Sequence, residues 1–154
     1  MSAPQIDSRP HCIIVDMDGT LADCSHRVHW IAEKPKNWDM FHHECDKDPV
    51  HKHIGVLVNC LSDQDFKIVV VSGRVEATRA KTEAWLRKNF IDFHALFMRP
   101  DGDYRADDVL KEEILDRDIL PVWNPMMALD DRDRVVAMWR RRGVPCLQVA
   151  AGDF

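Results

Sequence analysis

Asp16-Met17-Asp18-Gly19-Thr20 directly follows the apolar run Cys12-Ile13-Ile14-Val15, so two acids and a glycine turn stand where a buried strand should end. Packing cannot explain carboxylates there, because an unpaired buried charge costs several kcal/mol. A metal and phosphate site does explain them, with one carboxylate as nucleophile and the other handling protons. Gly19 permits the turn that lets both acids face one pocket. Three later groups supply what such a site lacks. Ser72-Gly73-Arg74, read as the end of a strand just ahead of a helix, offers a hydroxyl, a glycine amide and a helix N-terminus as an anion cradle. Asp130-Asp131 pairs two acids at another strand end, a pattern that calls for a cation and suits Mg²⁺ as a hard-oxygen site. Lys111 lies four residues after Asp107, on the same face of a helix. A lysine near the nucleophile offsets the repulsion between an anionic phosphoester and an anionic aspartate. The expected metal ligands are Asp16, the backbone carbonyl of Asp18, and Asp130, with Asp131 direct or through water.

These groups need a scaffold that brings distant strand ends together. Residues 11–15, 67–71, 93–98, 126–129 and 146–149 read as strands, and their continuous apolar runs suit strands covered on both faces of a parallel sheet. Helical spacing recurs over 50–61, 75–89, 107–116 and 132–142, the last stopping at Gly143 before Pro145. The expected architecture is α/β: a three-layer, Rossmann-like parallel sheet forming one domain over 1–154. A small cap at about 21–48, rich in His, Trp and Asp, reads as a loop with one short helix over the end of strand one. Ligands in open α/β sheets sit outside the carboxyl ends of the strands, so the cap is placed to shape a site there.

Composition narrows the function classes. The chain has 154 residues, of which 45% are hydrophobic and 31% charged. These values suit one soluble domain with a core. A formal charge of −5 argues against broad electrostatic capture of a nucleic-acid duplex. Cys12, Cys24, Cys45, Cys60 and Cys146 are odd in number and form no Cys-x-x-Cys pair, which fits reduced thiols. With no signal peptide or membrane-spanning run read in the sequence, a cytoplasmic location is expected.

The ordered set Asp-x-Asp-Gly-Thr, Ser-Gly-Arg, Lys and Asp-Asp resembles the signature of haloacid dehalogenase (HAD) phosphatases over nearly the whole chain. Residues 68–74, 105–114 and the run from Asp130 to Phe154 are further similar to the 3′-phosphatase domain of phage-type polynucleotide kinase/phosphatase. That resemblance implies a Mg²⁺-dependent enzyme that removes phosphates from nucleic-acid 3′ ends through an aspartyl-phosphate. It also implicates Arg27, Arg74, Arg99 and Asp107, which with Thr20, Ser72 and Gly73 are the residues expected to hold phosphate or substrate; a phage-encoded chain would work in the host cytoplasm. The phage enzymes carry a kinase domain with a Gly-x-x-x-x-Gly-Lys-Ser/Thr loop, which this sequence lacks. Residues 21–60 match poorly, and substrate choice would be encoded there.

Competing readings attach to other residues. His42, His43, Cys45, His51 and His53 fit no standard zinc spacing and read as a solvated or partly packed face. Trp30, Trp38 and Phe41 could stack a base or pack the cap onto the domain. Arg105 reads as an ion-pair former. Arg140-Arg141-Arg142 suits a helix C-terminus, where cations are favoured, and Trp85, Trp123 and Trp139 read as core. The expected partner is a nucleic-acid 3′ end or a nucleotide, with no membrane and no obligate protein partner. A small-molecule phosphatase acting on nucleoside monophosphates is the alternative. A receiver-like phosphoacceptor is a second, opposed by the order of the acid pair and the lysine.

Overall fold

The computed structural model describes residues 7–152. Five strands, β1 (His11–Val15), β2 (Lys67–Val75), β3 (Ala95–Arg99), β4 (Asn124–Asp130) and β5 (Cys146–Gln148), pair in parallel in the order β3-β2-β1-β4-β5. Alternation along β1 explains why its apolar run is continuous. Cys12 and Ile14 join one buried cluster, while Ile13 and Val15 join another on the opposite face.

Between β1 and β2 lies the cap region: α1 (His29–Ala32), α2 (Trp38–His43) and two 3-10 turns, Ser25–Arg27 and Cys45–Lys47. It is more helical than expected, because its short turns are set by local contacts that leave no apolar period to read. Next, α3 (Lys52–Asp63) and α4 (Arg79–Lys88) cover one face of the sheet through Ile54, Val58, Trp85 and Leu86. The other face carries α5 (Asp107–Ile114), continued by a wide π turn over Leu115–Ile119, and α6 (Asp133–Arg141). Leu110, Ile114, Val135 and Trp139 pack there against Cys12, Ile14 and Val71. Two helix-covered faces make the three-layer α/β arrangement expected for a HAD fold. No helix among the described residues is long and apolar enough to cross a membrane.

One boundary differs in a way that matters to the site. Ser72-Gly73-Arg74 do not stand at a helix N-terminus; β2 runs on through Val75, a 3-10 turn follows, and α4 starts only at Arg79. Val71 pairs with Phe97 and Val75 with Arg99, so the three residues Ser72, Gly73 and Arg74 stand opposite Met98 alone. Such a bulge re-aims side chains beside a site, and here it carries the polar residues that follow the apolar run of residues 68–71.

Candidate active site

The order of the sheet puts β1 between β2 and β4, so the carboxyl ends of these three strands open on one crevice. At its floor the Asp16 amide donates to the Leu129 carbonyl at 3.0 Å, locking the end of β1 to that of β4. Asp16, Asp130 and Asp131 are all buried and offer carboxylate oxygens within 4.8 Å of one another. Lys111, only 2% exposed, reaches in from α5 and donates to Asp16 Oδ1 at 2.7 Å and to Asp130 Oδ2 at 2.8 Å. The other Asp130 oxygen accepts the amides of Asp131 and Arg132. Gly19 adopts φ +85°, and a Cβ there would lie 2.1 Å from an Asp131 carboxylate oxygen. Only glycine lets the turn approach the acid pair so closely. Thr20 is buried beside it, its hydroxyl 3.5 Å from Asp131 Oδ1.

Asp18 faces a second group. Its Oδ1 accepts from Arg27 Nη2 at 2.6 Å and from Arg74 Nη2 and Nε at 2.7 and 2.9 Å. Both arginine side chains are fully buried, whereas that of Asp18 is 22% exposed. The bulge in β2 is what turns Arg74 inward, and the Ser72 hydroxyl braces it by accepting the Arg74 amide at 3.1 Å. Gly73 lies against Asp107: a Cβ on it would meet Asp107 Oδ1 at 2.8 Å. Asp107 in turn accepts from Arg99 and from Arg132, the latter at 2.8 Å. Arg99 also donates to the carbonyls of Gly73, Asp103 and Arg105. Its guanidinium therefore ties β2, β3 and the start of α5 together.

Charge distribution separates the two groups. Burial raises the Asp16 carboxyl well above its ordinary range; Lys111 pulls it down, while Asp130 and Asp131 push it further up. Asp131 is raised by burial and by Asp130. Lys111 is raised in spite of burial, by Asp130 and Asp16. Three carboxylates facing one ammonium lack positive charge. An all-oxygen donor set with that deficit fits a hard divalent ion such as Mg²⁺. At Asp18 burial also pushes upward, but Arg74 and Arg27 override it and hold the carboxyl at about 2. Burial pushes the thiols of Cys12, Cys24 and Cys146 up to about 12, so they stay protonated and inert.

Three contributions to the site escaped the sequence reading. Asp48, an acid before a proline in the cap, sits fully buried between Arg27 and Arg74. The Trp139 indole N–H points at Asp130 Oδ2 from 3.3 Å, in addition to packing in the core. Beyond β5, Gly152 lies so close to the Asp131 carbonyl that a Cβ there would come within 2.0 Å of it. No pattern signal marks the first two. Glycine near the chain end was the one available hint of the third.

Other residues lie where packing requires them. Trp30 donates to Glu44, Trp38 and His42 stack with ring centroids 6.0 Å apart, and Phe41 is buried under the Arg27 guanidinium. Arg105 pairs with Asp103 and Glu113, while Arg141 and Arg142 pair with Glu112 and Asp116. Among the described residues, Asp16, Asp130 and Asp131 form the one group of three or more acidic, His or Cys side chains placed to hold a metal. The His- and Cys-containing stretch 42–53 forms none.

Comparison with known proteins agrees with this geometry. The family model described as the polynucleotide kinase PNKP phosphatase domain matches residues 10–154. A protein of Autographa californica nuclear polyhedrosis virus, named as a bifunctional polynucleotide kinase/RNA ligase, is 30% identical over 98% of this chain. A chain in the structure of a Pnkp1/Rnl/Hen1 complex is 35% identical over 99% of it, with a TM-score of 0.84. The chain spans 21% of the viral relative and 50% of that solved chain. A hydrolase from Streptococcus pneumoniae TIGR4 shares the fold at 15% identity, with a TM-score of 0.60 and 94% of this chain and 95% of the other covered.

Proposed function

The chain belongs to the polynucleotide kinase PNKP phosphatase-domain family and is a HAD-type phosphatase, and from that premise we propose that it removes 3′-phosphates from DNA or RNA ends with Mg²⁺. The observation that carries this reading is the buried Asp16, Asp130 and Asp131 set clasped by Lys111, beside an Asp18 gripped by two arginines. Asp16 and Asp130, with the Asp18 carbonyl and Asp131, would hold the ion. Mg²⁺, when bound, supplies charge neutralisation and polarises a phosphoryl oxygen.

In the proposed reaction, an Asp16 oxygen attacks phosphorus in line, the bond to the sugar 3′-oxygen breaks, and Asp18 gives that oxygen its proton. The product is a free 3′-hydroxyl and an aspartyl-phosphate. Asp18, now a carboxylate, takes a proton from water as the water attacks the same phosphorus, releasing inorganic phosphate and restoring Asp16. Lys111, Ser72 and the Gly73 amide face the equatorial oxygens, where transition-state charge is spread. Arg27 and Arg74 hold the Asp18 proton affinity low in the free protein. An incoming phosphate dianion opposes that pull, so Asp18 acquires its proton as substrate arrives.

A panel of matched 3′- and 5′-phosphorylated oligonucleotides, nucleoside 3′- and 5′-monophosphates and an aryl phosphate tests the substrate. Preference for the 3′-phosphorylated oligonucleotides is expected. Preference for a nucleoside 5′-monophosphate would move the reading to small-molecule hydrolysis. The viral relative is named as a kinase/RNA ligase and the solved relative occurs with Rnl and Hen1. A ligase that seals the cleared end is accordingly the partner class to test by co-purification.

A further inference from the structure

Asp48 lies outside every motif that carries the chemistry, yet its side chain is fully enclosed and its carboxylate takes four hydrogen bonds. Oδ1 accepts from Arg27 Nε at 2.7 Å and meets His26 Nε2 at 2.8 Å. Oδ2 accepts from Arg27 Nη2 at 2.6 Å and Arg74 Nη2 at 2.8 Å. Its main chain is pinned as well, with the Trp85 indole donating to the Asp48 carbonyl at 2.7 Å. The remaining reach of each guanidinium is fixed elsewhere: Arg27 Nη1 donates to the Phe41 carbonyl and Arg74 Nη1 to the Thr82 hydroxyl. Thus Asp48 joins an arginine of the cap to an arginine of the β2 bulge, and both then converge on the same oxygen of Asp18.

That convergence has a chemical consequence. The three bonds from Arg27 and Arg74 to Asp18 all fall on Oδ1, which leaves Oδ2 clear of them for proton transfer. Two arginines without a second carboxylate between them would both be drawn to Asp18, and a guanidinium fork readily engages both oxygens of a carboxylate. We infer that Asp48 is a positioning residue: by drawing the Nη2 atoms of both arginines onto its Oδ2, it bridges the two guanidiniums so that they grip Asp18 through one oxygen and leave the other for the leaving group. This rests on the phosphatase reading above and on Asp18 as the proton donor. It gives the cap a role in the chemistry as well as in substrate choice.

The test uses two esters that differ in leaving-group basicity and little in shape, phenyl phosphate and p-nitrophenyl phosphate, with Mg²⁺ and the full chain. The parameter is kcat/KM, which reports the step in which the leaving group departs. p-Nitrophenolate leaves without a proton, whereas phenolate benefits from one. Asp48→Asn is expected to lose roughly tenfold or more extra activity on phenyl phosphate, a fraction of what general acid catalysis supplies. Asp48→Glu keeps the charge and moves the carboxylate by one methylene; it is expected to fold and to show the same skew at smaller size. A merely structural role would lower both esters by one factor. Equal losses in Asp48→Glu would overturn the assignment even where Asp48→Asn fails to fold. If the unaltered protein hydrolyses neither ester nor a 3′-phosphorylated oligonucleotide, the phosphatase reading itself falls; an active wild type with unskewed variants removes only the role of Asp48.

Discussion

Two buried charge clusters share one crevice and are built on opposite principles. The cluster at the ends of β1 and β4 sets Asp16, Asp130 and Asp131 against Lys111 and is short of positive charge. The cluster under the cap sets Asp18 and Asp48 against Arg27 and Arg74, two charges of each sign. One arrangement carries a charge deficit that a cation would fill. The other is balanced within the protein. In the proposed reaction the two designs divide the work, with phosphoryl transfer at the first and proton placement at the second.

The largest effect that could break this division is loss of the proposed nucleophile. Asp16→Asn is expected to lower turnover by at least about 10⁴-fold, since removing a group that forms the covalent bond leaves only binding and electrostatics. Steady-state phosphate release measures it, and substantial residual activity would contradict the covalent scheme. Lys111→Met comes next. It leaves three buried carboxylates without their ammonium, so a loss of roughly 10²–10³-fold is expected, with a lower melting temperature in EDTA than in Mg²⁺. Equal melting temperatures in the two buffers would show that the ion does not bind among these acids.

Opposite pH responses sharpen the contrast further. Asp18 is depressed from 3.8 to about 2, so the stability it contributes is present above its unfolded pKa and is lost as pH falls through the folded value. Between pH ~4 and ~2 the wild type should lose about 2 kcal/mol more than Asp18→Asn. Asp16 shifts the other way, its carboxyl raised by burial and by Asp130 and Asp131. In metal-free protein its contribution is present below the unfolded pKa and is lost as pH rises through the folded value. Asp16→Asn in EDTA should therefore melt above the wild type at neutral pH, and the gap should close on acidification. Denaturant titrations across this range measure both. A gap that widens on acidification would reverse the assigned signs.

The smallest expected effect concerns Trp139. Replacing it with Phe removes the N–H near Asp130 Oδ2 and costs about 1 kcal/mol, with the bulk of the ring retained. Chemical denaturation checks the value, and an unchanged stability would mean that the tryptophan serves packing alone.

How legible each cluster was follows from where its residues lie. Asp16, Asp130 and Lys111 belong to strand ends and a helix face, so periodicity places them, and β1 ends where its apolar run does. Asp48 and Arg27 sit in short turns that have no period, and their partner Arg74 is far away in sequence. The Ser72–Arg74 stretch looked like a strand end because polar residues interrupted an apolar run. A bulge keeps the strand going, and Gly73 inside the run is its one sign in the sequence. Trp139 was legible as core, but its hydrogen bond depends on the packing of α6 over β4.

The most direct test is a single-turnover, acid-quenched reaction with a 3′-³²P-phosphorylated oligonucleotide and Mg²⁺. The expected result is transient radiolabel on the protein, mapped to Asp16, released by hydroxylamine and absent in EDTA. Phosphate release with no labelled protein at any quench time, or with the label on a different residue, would contradict the account.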